Sequence, residues 1–197
     1  MSKPIFILNA PPQTGKDTIA ANVLMRTDAG TCSMKDPMFQ VFCSTTGIDF
    51  NDFMELYETP GWKDTPQGLT NGKTPRELMI HISENFVKPF FGDDYYGKAL
   101  ANYIMNTEDL LDGQRSWVIP DGGFQGEFDA FKRIHGDRVV LIRMEREGHR
   151  DFTGDSRNWI YDVRDTLEGP EEHGVWFDTT EGNEKAIKFM EDMINAA

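Results

Sequence analysis

A chain of 197 residues with a formal net charge of −13 has room for one α/β domain with a full core, and its acidity argues against nucleic acid as a partner. At 39% hydrophobic and 27% charged residues it reads as a globular protein, and no apolar run reaches the ~18–20 residues of a membrane span, which argues against a membrane partner. A mononucleotide stays open, because it needs only a few local cations and an acidic exterior focuses anions into a basic pocket. Lys3-Pro4 leads straight into an apolar run with no cleavable leader, and Cys32 and Cys43 are too few for a disulfide framework. Reduced thiols in the cytoplasm are the expectation.

In chain order, residues 4–9 form an apolar strand that runs into Pro11-Pro-Gln-Thr-Gly-Lys-Asp-Thr18. Residues 16–26 follow as a helix, with Ile19, Ala20, Val23 and Leu24 at helical spacing. A short strand is expected near 31–33. Residues 44–73 are rich in Gly, Pro, Thr, Asp and aromatics without a period and are predicted irregular. A helix over 74–86 opens with Thr74-Pro75-Arg76-Glu77, an N-cap, a first-turn proline and a first-turn acid. A helix over 95–105, a strand over 116–120, a helix over 125–134 and a strand over 138–144 come next. Val139-Val-Leu-Ile142 is continuously apolar, as in a strand covered on both faces. Residues 145–173 read as irregular and rich in arginine, and a strand over 174–178 and a helix over 184–194 close the chain. Alternating strands and helices predict one α/β domain over 1–197, three layers deep, with a mainly parallel sheet.

The junction at residues 10–18 carries the chemistry. A strand, a turn, Gly15-Lys16 and a helix are the layout of a P-loop, in which backbone N–H groups cradle a phosphate and a lysine reaches the β- and γ-phosphates. Gln13, Thr14, Gly15, Lys16, Asp17 and Thr18 are the expected nucleotide cradle. Ala10 stands where the pattern opens with Gly, and Asp17 where it has Ser or Thr, so Thr18 is the alternative hydroxyl. Asp17 and Thr18 are the candidate Mg²⁺ residues. His81, His135, His149 and His173 show no metal-ligand spacing, and no Gly-x-Ser-x-Gly elbow is present.

Several segments, in order along the chain, resemble the deoxynucleoside monophosphate kinases of tailed bacteriophages. These are Gly15-Lys-Asp-Thr18, Lys35-Asp-Pro37, Asn71-Gly-Lys-Thr-Pro-Arg-Glu-Leu-Met79, Gly92-Asp-Asp-Tyr-Tyr96 and Trp117-Val-Ile-Pro-Asp121 with Glu127, then Leu141-Ile-Arg143 up to Gly148. The resemblance implies a nucleoside-monophosphate-kinase-like P-loop fold, with an acceptor-side segment at about 44–92 and an Arg-rich lid at about 145–173. It implies ATP and Mg²⁺ as cofactors and transfer of the γ-phosphoryl to a deoxynucleoside monophosphate in the host cytoplasm. Lys16 and Asp121, with Arg143, Arg146 and Arg150 of the lid, are then the catalytic candidates. Lys35 and Arg76 are acceptor-side candidates, and Trp62, Tyr95 and Tyr96 are candidates to stack on a base. The chain departs from the family where an Arg usually stands two residues after the Asp; here that position is Gly123. It departs again at Ile82-Ser-Glu-Asn85. Two other readings stay open: a P-loop kinase for another small molecule or a modified nucleotide, and a nucleotide-binding regulator without transfer activity. Base preference and a homodimer are left open too.

Overall fold

The computed structural model describes residues 2–166 and 169–197. Five parallel strands form the main sheet in the order β2-β3-β1-β4-β7: β1 Ile5–Asn9, β2 Gly30–Thr31, β3 Trp117–Gly122, β4 Val139–Glu145 and β7 Val175–Asp178. Central β1 is buried along its whole length and pairs Ile5 with both Trp117 and Val139. Its alternate side chains serve two cores, which is why the strand is apolar throughout rather than every second residue. Ile5 and Ile7 face helices α6 (Tyr95–Leu110) and α7 (Gln125–His135), packing with Leu100, Ile104, Phe128 and Phe131. Phe6 and Leu8 face α1 (Lys16–Arg26) and α8 (Glu184–Asn195), packing with Ile19, Val23, Ile187 and Met190. Each such buried Leu, Ile or Phe contributes roughly 1.5–3 kcal/mol over exposure. The result is the three-layer α/β/α sandwich expected from the sequence.

The expected irregular stretch at 44–73 is corrected. It holds the end of α2 (Asp36–Thr46), all of α3 (Phe50–Glu58) and single turns at Trp62–Asp64 and Gly68–Thr70. Asp49 caps α3 by accepting from the Asn51 N–H at 2.8 Å. Phe39 and Phe42 of α2 pack on Phe53 of α3, with ring centroids 5.0 Å away in each case. Thr74 and Glu77 make the predicted capping box at the head of α4 (Pro75–His81). The helix does not continue as one regular α-helix, however: Ile82–Val87 is a π segment, followed by α5 (Lys88–Phe91). Pro89 has no N–H to give to the preceding turn, so the regular ladder fails there. Within 145–173, Val163–Thr166 and Gly169–Glu172 (β5 and β6) pair as an antiparallel ribbon. Among the described residues, no helix is long and apolar enough to cross a membrane.

Candidate active site

Beyond Asn9 the chain turns through Gln13 at φ 65° and Gly15 at φ 93°, and α1 begins at Lys16. The second is a left-handed position that glycine adopts without cost. Gly15 is also the point of closest approach, since a Cβ there would lie 2.9 Å from Asn183 Nδ2 and 3.1 Å from Arg146 Nη2. Thr14 is fully buried; its hydroxyl donates to the Pro11 carbonyl at 2.8 Å, and its own carbonyl accepts from Thr179 Oγ1 at 2.9 Å. The loop is thereby pinned to itself and to the end of β7. Ala10 is buried in the core formed by Phe6, Leu8 and α1, where a small residue fits beneath the loop.

Lys16 is only 7% exposed, and no carboxylate lies within ion-pair distance of it among the described residues. Burial pulls its ammonium below the usual lysine range; Asp17 opposes this, Arg157 and Lys35 add to it, and Asp155 opposes it. An unpaired cation at the head of a helix is an environment that favours an anion. Asp17 and Thr18 are exposed on the first turn of α1 and offer carboxylate and hydroxyl oxygens, the hard donors that Mg²⁺ takes. The donor set fits that ion.

Next to the loop lies a cleft of about 290 Å³. Its cations are Lys35, Arg76, Lys88 and Arg157, and its acids are Glu84, Asp121, Glu127 and Asp155. Asp121, within β3, fastens the segment after β2: it accepts from Ser33 Oγ at 2.6 Å and from the Met34 N–H at 2.9 Å. That places Lys35 Nζ 3.9 Å from its carboxylate. Arg76 gives two hydrogen bonds to Asp64, from Nε at 2.5 Å and Nη2 at 3.2 Å.

Arg157 reaches the cleft by a route the sequence did not signal. Buried Asn9 donates to the carbonyls of Gly122 and Asn158 at 3.1 and 3.0 Å and accepts from the Ile160 N–H at 3.1 Å. The Asn158 N–H in turn donates to the Gly123 carbonyl at 3.0 Å. Residues 158–160 are so clamped against the carboxyl ends of β1 and β3, and the Arg157 stem falls on Gly123. A Cβ at 123 would lie 2.4–2.6 Å from the Arg157 Cβ, Cγ and Cδ. The glycine that stands in place of the family's arginine is therefore the floor beneath another arginine. Asp155 takes the Arg157 Nε and Nη2 at 2.9 and 2.5 Å, and these bonds hold the Asp155 carboxyl down at about 2.

The structure brings Lys16, Lys35, Arg76 and Asp121 of the expected residues around the loop and cleft, and sets Arg146 against Gly15. Arg143 is not among them. Its guanidinium is fully buried between the rings of Trp176 (4.2 Å) and Tyr161 (4.8 Å) and paired with Glu172, so it is a core cation on β4 rather than a lid residue. Arg150 is exposed. Trp62 packs edge-on against Phe53 at 6.0 Å within the aromatic core of α2 to α4 and does not line the cleft. Tyr95 faces a separate depression, whereas its neighbour Tyr96 lines the cleft. Sequence reasoning gave no role to Glu127 or Lys88, and read Arg157 only as one of the arginines of 145–173 that together point to phosphate contact. The Gly122-Gly123 pair was the available signal that something large crosses there.

Glu127, in the first turn of α7, is 5% exposed and accepts no hydrogen bond among the described residues. Burial above all, then the Asp121 charge, pushes its carboxyl up to about 8; Lys88 opposes this and Glu84 adds to it.

No protein-family model matches the sequence, and no curated protein does. Two solved structures are similar in outline. One is named a "putative kinase" from Chloroflexus aurantiacus J-10-fl, at 12% identity and TM-score 0.49, covering 99% of this chain and 97% of that one. The other is a gluconokinase from Sinorhizobium meliloti 1021, at 7% identity and TM-score 0.43, covering 98% and 92%. Neither likeness says what this chain acts on.

Proposed function

We propose that the protein is a phosphotransferase that moves the γ-phosphoryl of ATP to the 5′-phosphate of a deoxynucleoside monophosphate. One observation carries the reading. Lys16 from the P-loop, Lys35 from the segment after β2 and Arg157 from the 145–173 stretch stand together, the Arg157 and Lys35 charges adding to the burial that chiefly pulls the Lys16 ammonium down. An acidic protein that gathers three cations from distant segments beside a phosphate cradle has built a place for a multiply charged anion. The resemblance in the 71–79 stretch favours a nucleotide acceptor.

Transfer between two phosphates needs no covalent intermediate, so the residues' work is alignment and charge neutralisation. Lys16 and the 13–18 backbone hold the β- and γ-phosphates. Arg76 and Lys35 hold the acceptor phosphate; Asp64 takes two of the Arg76 donors and leaves Nη1 for the ligand. Arg157 lies between the two groups, and Asp155 fixes its plane. Asp17 and Thr18 would hold Mg²⁺, which would supply neutralisation of phosphate charge.

Coupled ADP release with ATP, Mg²⁺ and each deoxynucleoside monophosphate in turn is the test, with Lys16→Ala alongside. Turnover with one or a few acceptors, lost in the variant, is the expected result. Retained ATP binding with no acceptor-dependent ADP release overturns the reading.

A further inference from the structure

Apolar side chains and two polar groups without hydrogen-bond partners share the lining of the cleft. Met34, Met38 and Met79 line it with the rings of Tyr57 and Phe124. Two polar groups lack partners there. One is the Glu127 carboxyl. The other is the Tyr96 hydroxyl, buried with no hydrogen-bond partner. Its neighbour Ser83 donates its hydroxyl to Glu84 at 2.9 Å, so it has no proton for Tyr96 and can only accept from it. Buried polar groups are normally bonded, and leaving one unpaired costs about 1–3 kcal/mol.

The backbone holds Glu127 in place. A Cβ at Gly97 of α6 would lie 2.0 Å from the Glu127 carbonyl oxygen and 2.8 Å from its Cα, so the two helices touch at the residue that carries the carboxyl. Two unbonded groups fixed beside methionine and aromatic side chains suit a ligand that is flat, apolar on its faces and polar at one edge.

We propose that Glu127 and Tyr96 form a base-reading subsite, in which the carboxyl and the hydroxyl hydrogen-bond the edge of a heteroaromatic ring held between the methionine wall and the Tyr57 and Phe124 rings. The proposal rests on the phosphotransferase reading only for the direction in which the acceptor's phosphate points. Glu127 is then a specificity-determining residue. A carboxyl raised to about 8 is un-ionised at pH 7 and presents one donor beside one acceptor. That pair complements a ring nitrogen next to an amino group, or a ring N–H next to a carbonyl, as nucleobase edges offer. The charged or titratable groups facing it are Asp121 on β3, Lys88 on α5, Glu84 in the π segment and Tyr96 on α6.

The test compares wild type, Glu127→Gln, Glu127→Ala and Tyr96→Phe with each of the four deoxynucleoside monophosphates. ADP release and calorimetric binding are both read, and circular dichroism checks the fold. The amide of Glu127→Gln keeps a donor beside an acceptor, so its acceptor KM stays within about 3-fold of wild type and base preference survives. In Glu127→Ala the acceptor KM rises about 10–100-fold, the ratio between bases collapses and the KM for ATP is unchanged. From pH 7 to 9 the wild-type acceptor KM rises as the carboxyl ionises, while that of Glu127→Gln stays flat. KM is the quantity to follow because Lys16 also sits below its usual range. Should Glu127→Ala fold poorly, Tyr96→Phe and Glu127→Gln decide between the outcomes. Unchanged KM and unchanged base ratios in Glu127→Ala and Tyr96→Phe overturn the subsite and leave the phosphotransferase reading standing. Monophosphates that bind wild type, lose affinity in Glu127→Ala and give no turnover support the subsite and overturn the transfer reading. No binding by wild type overturns both.

Discussion

Arg157 and Gly123 form a unit in which one residue exists to make room for the other. Arg157→Lys keeps a charge but loses the planar fork that Asp155 holds, so kcat/KM falls about 10–100-fold. Arg157→Ala falls further, by about 10³-fold, the scale of losing a guanidinium from a phosphoryl-transfer site. Gly123→Ala puts a methyl 2.4–2.6 Å from the Arg157 Cβ, Cγ and Cδ, so the clamped backbone there must shift, giving an intermediate loss of activity and a lower urea midpoint. Gly123→Arg combined with Arg157→Gly, which also removes the Cβ that would lie 2.6 Å away, returns the guanidinium to the position the resemblance expected and recovers at least ~10-fold over Arg157→Gly. No recovery would mean that the lid, and not the charge alone, is required. Glu127 adds a prediction about pH. Its carboxyl is raised from 4.5 to about 8 on folding, so the folded protein binds the extra proton between those values and stability falls as pH rises through that window. The penalty is absent below 4.5 and complete above 8. Glu127→Gln does not titrate, so its advantage in urea grows from near zero at pH 5 to on the order of 4 kcal/mol at pH 9. An advantage independent of pH would mean that the carboxyl is not raised. At this scale the sequence was most readable where one residue type has one use. Gly15-Lys16 declared the cradle, whereas Arg143 and Arg157 are the same letter with opposite fates. Only the Trp176 and Tyr161 rings and the clamp at Asn9 separate them.

Elements were legible where their periodicity is set by a two-sided core. The strands β1, β3 and β4 and the helices α1, α7 and α8 have buried positions fixed by the sandwich, and their patterns show it. The pair α2 and α3 does not, because its aromatic residues pack mostly on one another. Phe39, Phe42, Phe53 and Tyr57 make a third cluster in helices of modest propensity, broken by Gly47 at φ 75°. The cap at Asp49 and the Phe53–Tyr57 spacing were the usable signals. The ribbon Val163–Thr166 with Gly169–Glu172 was hidden for another reason. Its strands are mostly polar, so they lack the apolar run by which β1 and β4 were found. The contact of α6 with α7 is the element-scale feature most open to a single change. A methyl at Gly97 meets the Glu127 backbone rather than a flexible side chain, so the helices must part. Gly97→Ala is expected to cost about 2–3 kcal/mol and lower Tm by roughly 4–12 °C. Gly126→Ala, with open space around its Cβ, is the control and changes Tm little. Equal midpoints for the two variants would mean that the helices are not locked there.

At the scale of the whole molecule, the loop after β1, the cleft and the 145–173 stretch meet at the carboxyl ends of the central strands. Neither the acidic composition nor any single motif reveals that meeting. The topology accomplishes it: β1 lies between β3 and β4, so the loop after β1 stands beside both Asp121 and the start of the Arg-rich segment. The Arg157 and Lys35 charges disfavour that of Lys16, which among the described residues has no carboxylate within ion-pair distance. Anions should therefore stabilise the fold. A non-hydrolysable ATP analogue with Mg²⁺, at about 100 times its Kd, is expected to add roughly 2.7 kcal/mol and raise Tm by about 5–11 °C. A deoxynucleoside monophosphate adds a smaller rise. Both together give a larger rise than either alone. Lys16→Met removes a buried, unpaired charge, so its ligand-free Tm should stand about 2–4 °C above wild type. That variant should also lose the ATP analogue's rise while keeping the monophosphate's. A lower ligand-free Tm in Lys16→Met would mean that the lysine is held by a partner and is not waiting for one.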